Sequence, residues 1–113
     1  MNDKPNLIVD LTFNFSLKII DFTEILESRR KFNMANQLFR CGTSIGANVR
    51  EAQGAESKDD FRHKCKIAYK EAEETEYWLL LCKHAQNYPF EQEMYDNIKS
   101  IIKVLGKIIS STH

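Results

Sequence analysis

Apolar and small side chains recur at alternating spacings of three and four residues in four separate segments of the chain. This spacing places them along one face of an α-helix. The four sets are Phe15, Ile19, Phe22 and Leu26; Leu38, Gly42, Ile45, Val49 and Ala52; Phe61, Cys65, Ala68, Ala72, Thr75, Leu79 and Cys82; and Met94, Ile98, Ile101, Leu105 and Ile108. A helix with one apolar face needs partners to cover it, so the pattern predicts a helical bundle.

Short links separate the four segments, which predict helices over residues 12–30, 34–53, 57–86 and 90–111. Short links favour antiparallel neighbours. The predicted fold is therefore all-α, an antiparallel up-down-up-down four-helix bundle that forms one domain over residues 12–113.

Residue types at the predicted helix ends suit helix capping. Asn33 is a candidate N-cap for the second helix, and Gly54 matches the glycine of a left-handed C-cap at its end. Ser57 and Asp60 resemble a capping box at the start of the third helix.

Residues 1–11 precede the periodic segments and predict an N-terminal arm. Pro5 disfavours helix at its own position and just before it. The apolar run Leu7, Ile8, Val9 and Leu11 is too apolar for a disordered tail. We expect it to dock either on its own bundle or on a neighbouring subunit.

Two glycines lie within the predicted second helix, where each costs about 1 kcal/mol relative to alanine in an exposed position. A helix that retains Gly42 and Gly46 is expected to pack against another helix backbone at close range.

The charge balance and the cysteines limit the classes of function. Sixteen basic and sixteen acidic side chains give no net charge, so only a local basic stripe can attract nucleic acid. Zero net charge also favours self-association. An odd number of cysteines, three, with no paired spacing indicates free thiols. With no signal peptide or membrane-spanning run, these features predict a cytoplasmic protein.

Two sequence motifs carry a resemblance to a known family. They are QLFRCGTSIGANVREAQGA (residues 37–55) and KIAYKEAEETEYWLLLC (residues 66–82). The chain resembles the four-helix bundle proteins named after intervening sequences of bacterial 23S ribosomal RNA genes. The resemblance implies an antiparallel bundle, a ring-shaped homopentamer and a function that is essentially unassigned. A more distant likeness, to the accessory protein of diversity-generating retroelements, implies work with a reverse transcriptase and nucleic acid.

A polar row accompanies the apolar stripe of the second helix, and carboxylates with matching periodicity lie on the third. If these faces meet, Arg40 can pair with Glu71 or Glu74. The interpretations are a buried polar network that fixes helix packing, a binding pocket, or a catalytic acid–base pair. The candidate residues are Arg40, Ser44, Asn48, Glu51, Glu71 and Glu74.

Metal and nucleophile chemistry find little support in the spacing. A di-metal bundle site needs two Glu-x-x-His motifs, and only Asp60 with His63 comes close. The three cysteines lack a suitably placed histidine and are interpreted as small core residues. No metal, cofactor or catalytic residue is predicted.

Two basic ladders repeat every four residues, one on each of the last two helices. Clustered cations bind phosphates, and repetition around a ring multiplies a modest patch. The alternative interpretation is a solvated helix face. The candidate nucleic-acid-binding residues are Arg62, Lys66, Lys70, Lys99, Lys103 and Lys107.

These observations predict a non-enzymatic homo-oligomeric scaffold or interaction protein, pentameric if the resemblance holds. A nucleic-acid-binding accessory protein that uses the ladders is the alternative hypothesis, and an enzyme is a third. A protein partner is also possible, and no membrane contact is expected. The broad apolar stripe of the fourth helix and the N-terminal arm are the candidate subunit contacts.

Overall fold

The chain folds into four α-helices, and a computed structural model describes residues 6–112. The helices are α1, Leu7–Ser28; α2, Phe32–Ala52; α3, Lys58–His84; and α4, Gln92–Ser111. Residues 6–112 contain no β-strand. The prediction of an all-α fold with four helices is therefore confirmed.

Helix α1 begins five residues earlier than the sequence predicted. Residues 7–11 form its first turns, so the predicted arm is wrong for this part, and residues 1–5 lie outside the described residues. The physical reason is a cap: the Asn6 side chain accepts a hydrogen bond from the Val9 amide at 3.4 Å. Ile8 then extends the buried stripe, with 5% of its surface exposed.

The predicted cap of the third helix is present. Ser57 Oγ accepts a hydrogen bond from the Asp60 amide at 3.0 Å. The Asp60 carboxylate accepts one in return from the Glu56 amide at 3.4 Å, one residue before the usual position of a capping box. Ser57 therefore satisfies one backbone donor that helix formation leaves without an intrahelical acceptor, and Asp60 satisfies the amide of the residue before the cap.

The predicted caps of the second helix are wrong. Lys31 occupies the N-cap position and makes no side-chain cap, so Asn33 lies inside the first turn. Gly54 does not adopt a positive φ. Its amide instead donates to the Glu51 carbonyl at 3.1 Å, in a tight turn that any residue can form.

Left-handed backbone occurs at Arg30 and Asn87. After α1, the Lys31 amide donates to the Leu26 carbonyl at 2.8 Å and the Arg30 amide to the Glu27 carbonyl at 2.9 Å. This pair of bonds is a Schellman motif, which usually has glycine where Arg30 stands.

Each helix packs against two others. Helix α1 contacts α2 and α4, and α3 contacts α2 and α4, whereas the diagonal pairs make no close backbone contact within residues 6–112. The α1–α4 contact is the smallest of the four, and Lys18 pairs with Glu93 across it. The result is a rod of 45 × 24 × 21 Å in which adjacent helices form four long sides.

The predicted apolar stripes form the core. The largest side chains with under 2% of their surface exposed all belong to these stripes, so the stripe assignments are confirmed except at Phe61 and Ile108, which are half-buried. The largest buried side chains are Phe15, Ile19, Phe22, Leu26, Leu38, Ile45, Val49, Leu79, Met94, Ile98, Ile101 and Leu105.

Both glycines of α2 lie against α1, as their positions within a helix predicted. A Cβ atom at Gly46 would lie 3.2 Å from the Thr12 carbonyl oxygen and from Ser16 Oγ. At Gly42 it would overlap the Ile19 side chain. The missing side chains therefore allow α1 and α2 to approach closely.

Candidate interaction surfaces

The polar row of α2 faces α3, but it divides into separate groups. Arg40 Nη2 lies 3.6 Å from Glu74 Oε2 and donates to Gln37 at 2.9 Å. The same Glu74 oxygen accepts a hydrogen bond from the Trp78 indole at 3.0 Å. The Arg40 side chain is 64% exposed, so this group bridges the two helices at the surface.

The other members of the row do not join this group. The Asn48 amide nitrogen donates to the Ser44 carbonyl at 2.9 Å and to Ser44 Oγ at 3.3 Å, within α2. Glu51 pairs with Lys64 of α3 at 3.0 Å. Glu71 is half-buried, and its backbone carbonyl accepts from the Thr75 hydroxyl at 2.7 Å.

A single buried network is therefore not what the structure contains. The reason is the position of the row: its residues lie at the outer edge of the α2–α3 contact, where water reaches Arg40 and Glu51. Pairs at that depth contribute at most about 1 kcal/mol each to stability.

The three thiols lie in the core, where sequence reasoning placed them. Cys41, Cys65 and Cys82 are buried and form no disulfide. Burial raises the pKa of Cys41 and of Cys82 to about 11 and also raises that of Cys65. The Thr75 hydroxyl lies 3.2 Å from Cys41 Sγ. Protonated, enclosed thiols are poor nucleophiles.

Asp60 and His63 do not belong to a metal-binding cluster. The part of the chain that the structure describes contains no group of three potential ligands among histidine, cysteine, aspartate and glutamate. Asp60 takes part in the helix cap, and His63 is exposed.

The ladder of α3 borders a groove of about 600 Å³ between α3 and α4. Tyr69, Gly106 and Ile109 supply half-buried apolar surface within it. Lys66 and Lys70 are exposed at its edge. A Cβ at Gly106 would lie 3.5 Å from the Tyr69 ring, so the absence of a side chain there widens the groove.

Arg62 is held at one end of this groove. Its Nε donates to the Ile109 carbonyl at 3.1 Å, close to the C-terminus of α4. A cation suits this position because the last carbonyls of a helix carry partial negative charge. His63 and Glu73 also line the groove, so its lining carries one carboxylate, that of Glu73, against the basic side chains of Arg62, Lys66 and Lys70.

The ladder of α4 continues the same side of the molecule. Lys99 and Lys103 line a second groove of about 260 Å³ with Glu76. Tyr95 donates a hydrogen bond to Glu76 at 2.9 Å, and Lys99 Nζ lies 5.5 Å from the centre of the Tyr95 ring. We call the surface that carries the six cations the α3–α4 side: Arg62, Lys66, Lys70, Lys99, Lys103 and Lys107.

The opposite side of the bundle carries exposed apolar residues, of which the sequence had suggested only Ile20, as a residue that widens the apolar stripe of the first helix. Phe13, Ile20 and Phe39 line two grooves between α1 and α2, and they are 54%, 39% and 49% exposed. Leu17 lies one turn from Phe13, and Phe32 two turns from Phe39, so both share this side. With the nearby exposed acids of α1, we call it the α1–α2 side: Phe13, Leu17, Ile20, Asp21, Glu24, Glu27, Phe32 and Phe39.

A signal for this side was present in the sequence. Phe13, Leu17 and Ile20 have the i, i+4, i+7 spacing of a second apolar stripe on α1, away from the core stripe. The broad stripe of α4 was predicted as a subunit contact because Ile102 and Ile109 flank its core stripe. Ile102 is half-buried and packs against the core, and Ile109 is half-buried in the groove between α3 and α4. Most of the exposed large apolar side chains in residues 6–112 therefore lie on α1 and α2, and Tyr77 of α3 is also exposed.

The sequence as a whole matches the family model described as "23S rRNA-intervening sequence protein" over residues 4–111. The chain belongs to the 23S rRNA-intervening sequence protein family. The resemblance carried by the two motifs is confirmed. Comparison with curated proteins gives no significant match.

A crystal structure at 1.70 Å resolution shares the fold of this family member. It is of a protein with unknown function from the S23 ribosomal protein family of Bacteroides thetaiotaomicron VPI-5482. The two chains are 39% identical and superpose with a TM-score of 0.87, and the match covers 92% of this chain and 99% of the other. None of the helices described for the present chain is long and apolar enough to cross a membrane.

Proposed function

We propose that this protein is a non-enzymatic helical-bundle scaffold that assembles with copies of itself, as a pentameric ring if it follows the family resemblance. The observation that carries the proposal is the α1–α2 side. Phe13, Leu17 and Phe39 each expose about half of their surface there. A contiguous apolar surface of this kind marks a protein interaction site.

The same proposal includes the direction of the helices, which alternates along the chain. Two contacts support it. Asn6, at the start of α1, donates to Gln53, just beyond the end of α2, at 2.8 Å. Arg62, near the start of α3, contacts Ile109, near the end of α4.

A role without catalysis is supported by the state of the most reactive side chains. The three thiols are buried, and their pKa values are raised rather than lowered. An activated nucleophile requires the opposite shift. Free thiols also favour a reducing compartment, and we place the assembly in the cytoplasm.

Light scattering at micromolar concentration tests the assembly. We expect a mass several times the 13.2 kDa of one chain, and five times this mass for the pentamer. A mass of one chain at these concentrations overturns the proposal.

A second candidate function is binding of RNA or DNA by the α3–α4 side. Lys66, Lys70 and Lys107 have no carboxylate within 4 Å in residues 6–112, so their charge is available.

The test is a gel-shift titration with RNA and DNA at several salt concentrations. Binding through phosphates weakens steeply as salt rises. The triple variant Lys99→Glu, Lys103→Glu and Lys107→Glu should lose this binding. Unchanged affinity, or no binding by the wild type at low salt, removes this candidate.

A further inference from the structure

We propose that the α1–α2 side of one copy docks on the α3–α4 side of a second copy, so that copies join head to tail. This inference rests on the proposed self-assembly and names the two surfaces that meet. The two surfaces differ in charge and in shape, and they are complementary in both respects.

The two surfaces lie on opposite sides of the rod. Within the described residues α2 packs on α3 and α1 on α4, with no close contact between the diagonal pairs, so the outer surfaces of the α1–α2 pair and the α3–α4 pair point in opposite directions. One copy can therefore hold a neighbour on each side at the same time. A repeated contact between two different surfaces produces a closed ring when its rotation closes.

The charges of the two sides are predominantly opposite in sign. Arg50 also lines the α1–α2 side beside Phe13, and Glu73 and Glu76 line the α3–α4 side, but acids outnumber cations on the first side and cations outnumber acids on the second. Helix α1 carries four acids and one lysine, and that lysine, Lys18, is already paired with Glu93. Asp21, Glu24 and Glu27 are exposed and pair with no cation within residues 6–112. The α3–α4 side presents its six cations. Opposite charges across an interface guide the encounter and fix the partner.

The apolar groups of the two sides are also complementary. The α1–α2 side projects Phe13, Leu17 and Phe39, whereas the α3–α4 side offers an apolar recess lined by Tyr69 and Ile109. One long side of a 45 × 24 × 21 Å body is large enough for the roughly 800 Å² per partner of a standard interface.

Contact between two α1–α2 sides is less favourable. A symmetric contact would bring together two surfaces on which acids outnumber cations, and charge of the same sign on both partners disfavours association. It would also leave the cations of the α3–α4 side without a partner. Charge therefore favours head-to-tail contact over a symmetric dimer.

Two variants that each disable one side test the pairing. The α1–α2 variant, Leu17→Lys with Phe39→Lys, places cations where the partner is cationic. The α3–α4 variant, Lys66→Glu with Lys70→Glu, places anions where the partner is anionic. All four positions are exposed, and circular dichroism checks that each variant retains its helices.

Each variant alone should have the mass of a single chain, because neither can complete the contact with itself. An equimolar mixture should form mixed complexes of at least twice that mass, since each variant retains the side that the other has lost. The control is Ile25→Lys, a lysine substitution on α1 two turns from Lys18, on the side towards α4, and it should assemble like the wild type.

Three results overturn the pairing. If the α3–α4 variant still assembles like the wild type, the α3–α4 side is not the surface that meets the α1–α2 side. Loss of RNA binding by the same variant would then assign the α3–α4 side to polyanion binding. If both variants are single chains and the mixture also has only the mass of a single chain, the two sides do not meet. If Ile25→Lys also dissociates the assembly, the effect is not specific to the α1–α2 side. A wild type of single-chain mass, in contrast, overturns the proposed function itself.

Discussion

A Cβ atom added to Gly42 would lie 2.7 Å from both Cδ1 and Cγ1 of Ile19. Ile19 is fully buried, so its side chain has little room to move. The distance between α1 and α2 is therefore set by the contact of Gly42, which has no side chain, with the branched side chain of Ile19.

Gly42→Ala should lower the free energy of unfolding by about 1–3 kcal/mol, because overpacking outweighs the gain in helix propensity. Gly106→Ala is the matched control: its Cβ would meet only ordinary contact, at 3.5 Å from Tyr69, so stability should rise by up to about 1 kcal/mol. Urea unfolding measures both.

An Ile19→Ala background removes the opposing atoms. In that background Gly42→Ala should no longer destabilise, which appears as a non-additive double-mutant cycle. Equal effects of Gly42→Ala in both backgrounds would contradict the proposed overlap with Ile19.

Arg30→Gly should stabilise the protein by about 1 kcal/mol. Arg30 has a φ of 63°, a conformation in which a Cβ atom is strained and glycine is not. The shift in thermal midpoint measures the gain. Arg29→Gly is the control, since Arg29 has a φ of −97° and no such strain. A gain at Arg29 equal to that at Arg30 would argue against strain as the cause.

Stability should fall as the pH rises from about 8.5 to 11. Unfolded cysteine has a pKa of about 8.5, whereas burial raises the pKa of Cys41 and Cys82 to about 11 in the folded state. Between these values the unfolded chain releases thiol protons and the folded chain retains them. The stabilisation that the two protonated thiols contribute is fully present below a pH of about 8.5 and is lost by a pH of about 11.

Urea midpoints at pH 8 and pH 10.5 measure this loss. Lysine and tyrosine also titrate in this range, so the comparison is with the double variant Cys41→Ala and Cys82→Ala, whose loss between the two pH values should be smaller. If the wild type and the double variant lose the same amount, the thiols do not contribute.

Arg40→Met should change stability by less than about 1 kcal/mol. The Arg40–Glu74 pair is largely exposed, and such pairs contribute little. Leu38→Ala on the same helix should cost about 2–5 kcal/mol, because Leu38 is fully buried. A cost at Arg40 comparable to that at Leu38 would restore the interpretation of the polar row as a network that fixes the fold.

The apolar stripes and the start of α3 were predictable because periodicity and local capping chemistry act over a few residues. Arg30 was not, since its left-handed backbone follows from how α1 must turn into α2 rather than from its residue type. The exposure of the Arg40 side chain was also not predictable, because spacing shows which face of a helix a residue occupies but not how much of it the neighbouring helix covers.

The α1–α2 side was missed for a related reason. Its members have helical spacing, but the core stripe of α1 already accounted for that helix, and no sequence rule says which apolar residues remain uncovered. That Phe39 of α2 lies beside Ile20 of α1 follows only from the packing of the two helices.

The small α1–α4 contact has a consequence for how the fold forms and opens. The other three contacts join helices adjacent in the chain, whereas this one joins the first helix to the last and closes a loop of nearly the whole molecule. Such a closure has the largest entropic cost of the four and the least packing to offset it. The α1–α4 contact, where Lys18 pairs with Glu93, is therefore the contact that we expect to open first. Backbone amides along it should exchange hydrogen before the rest of the core, and domain swapping between copies should start there.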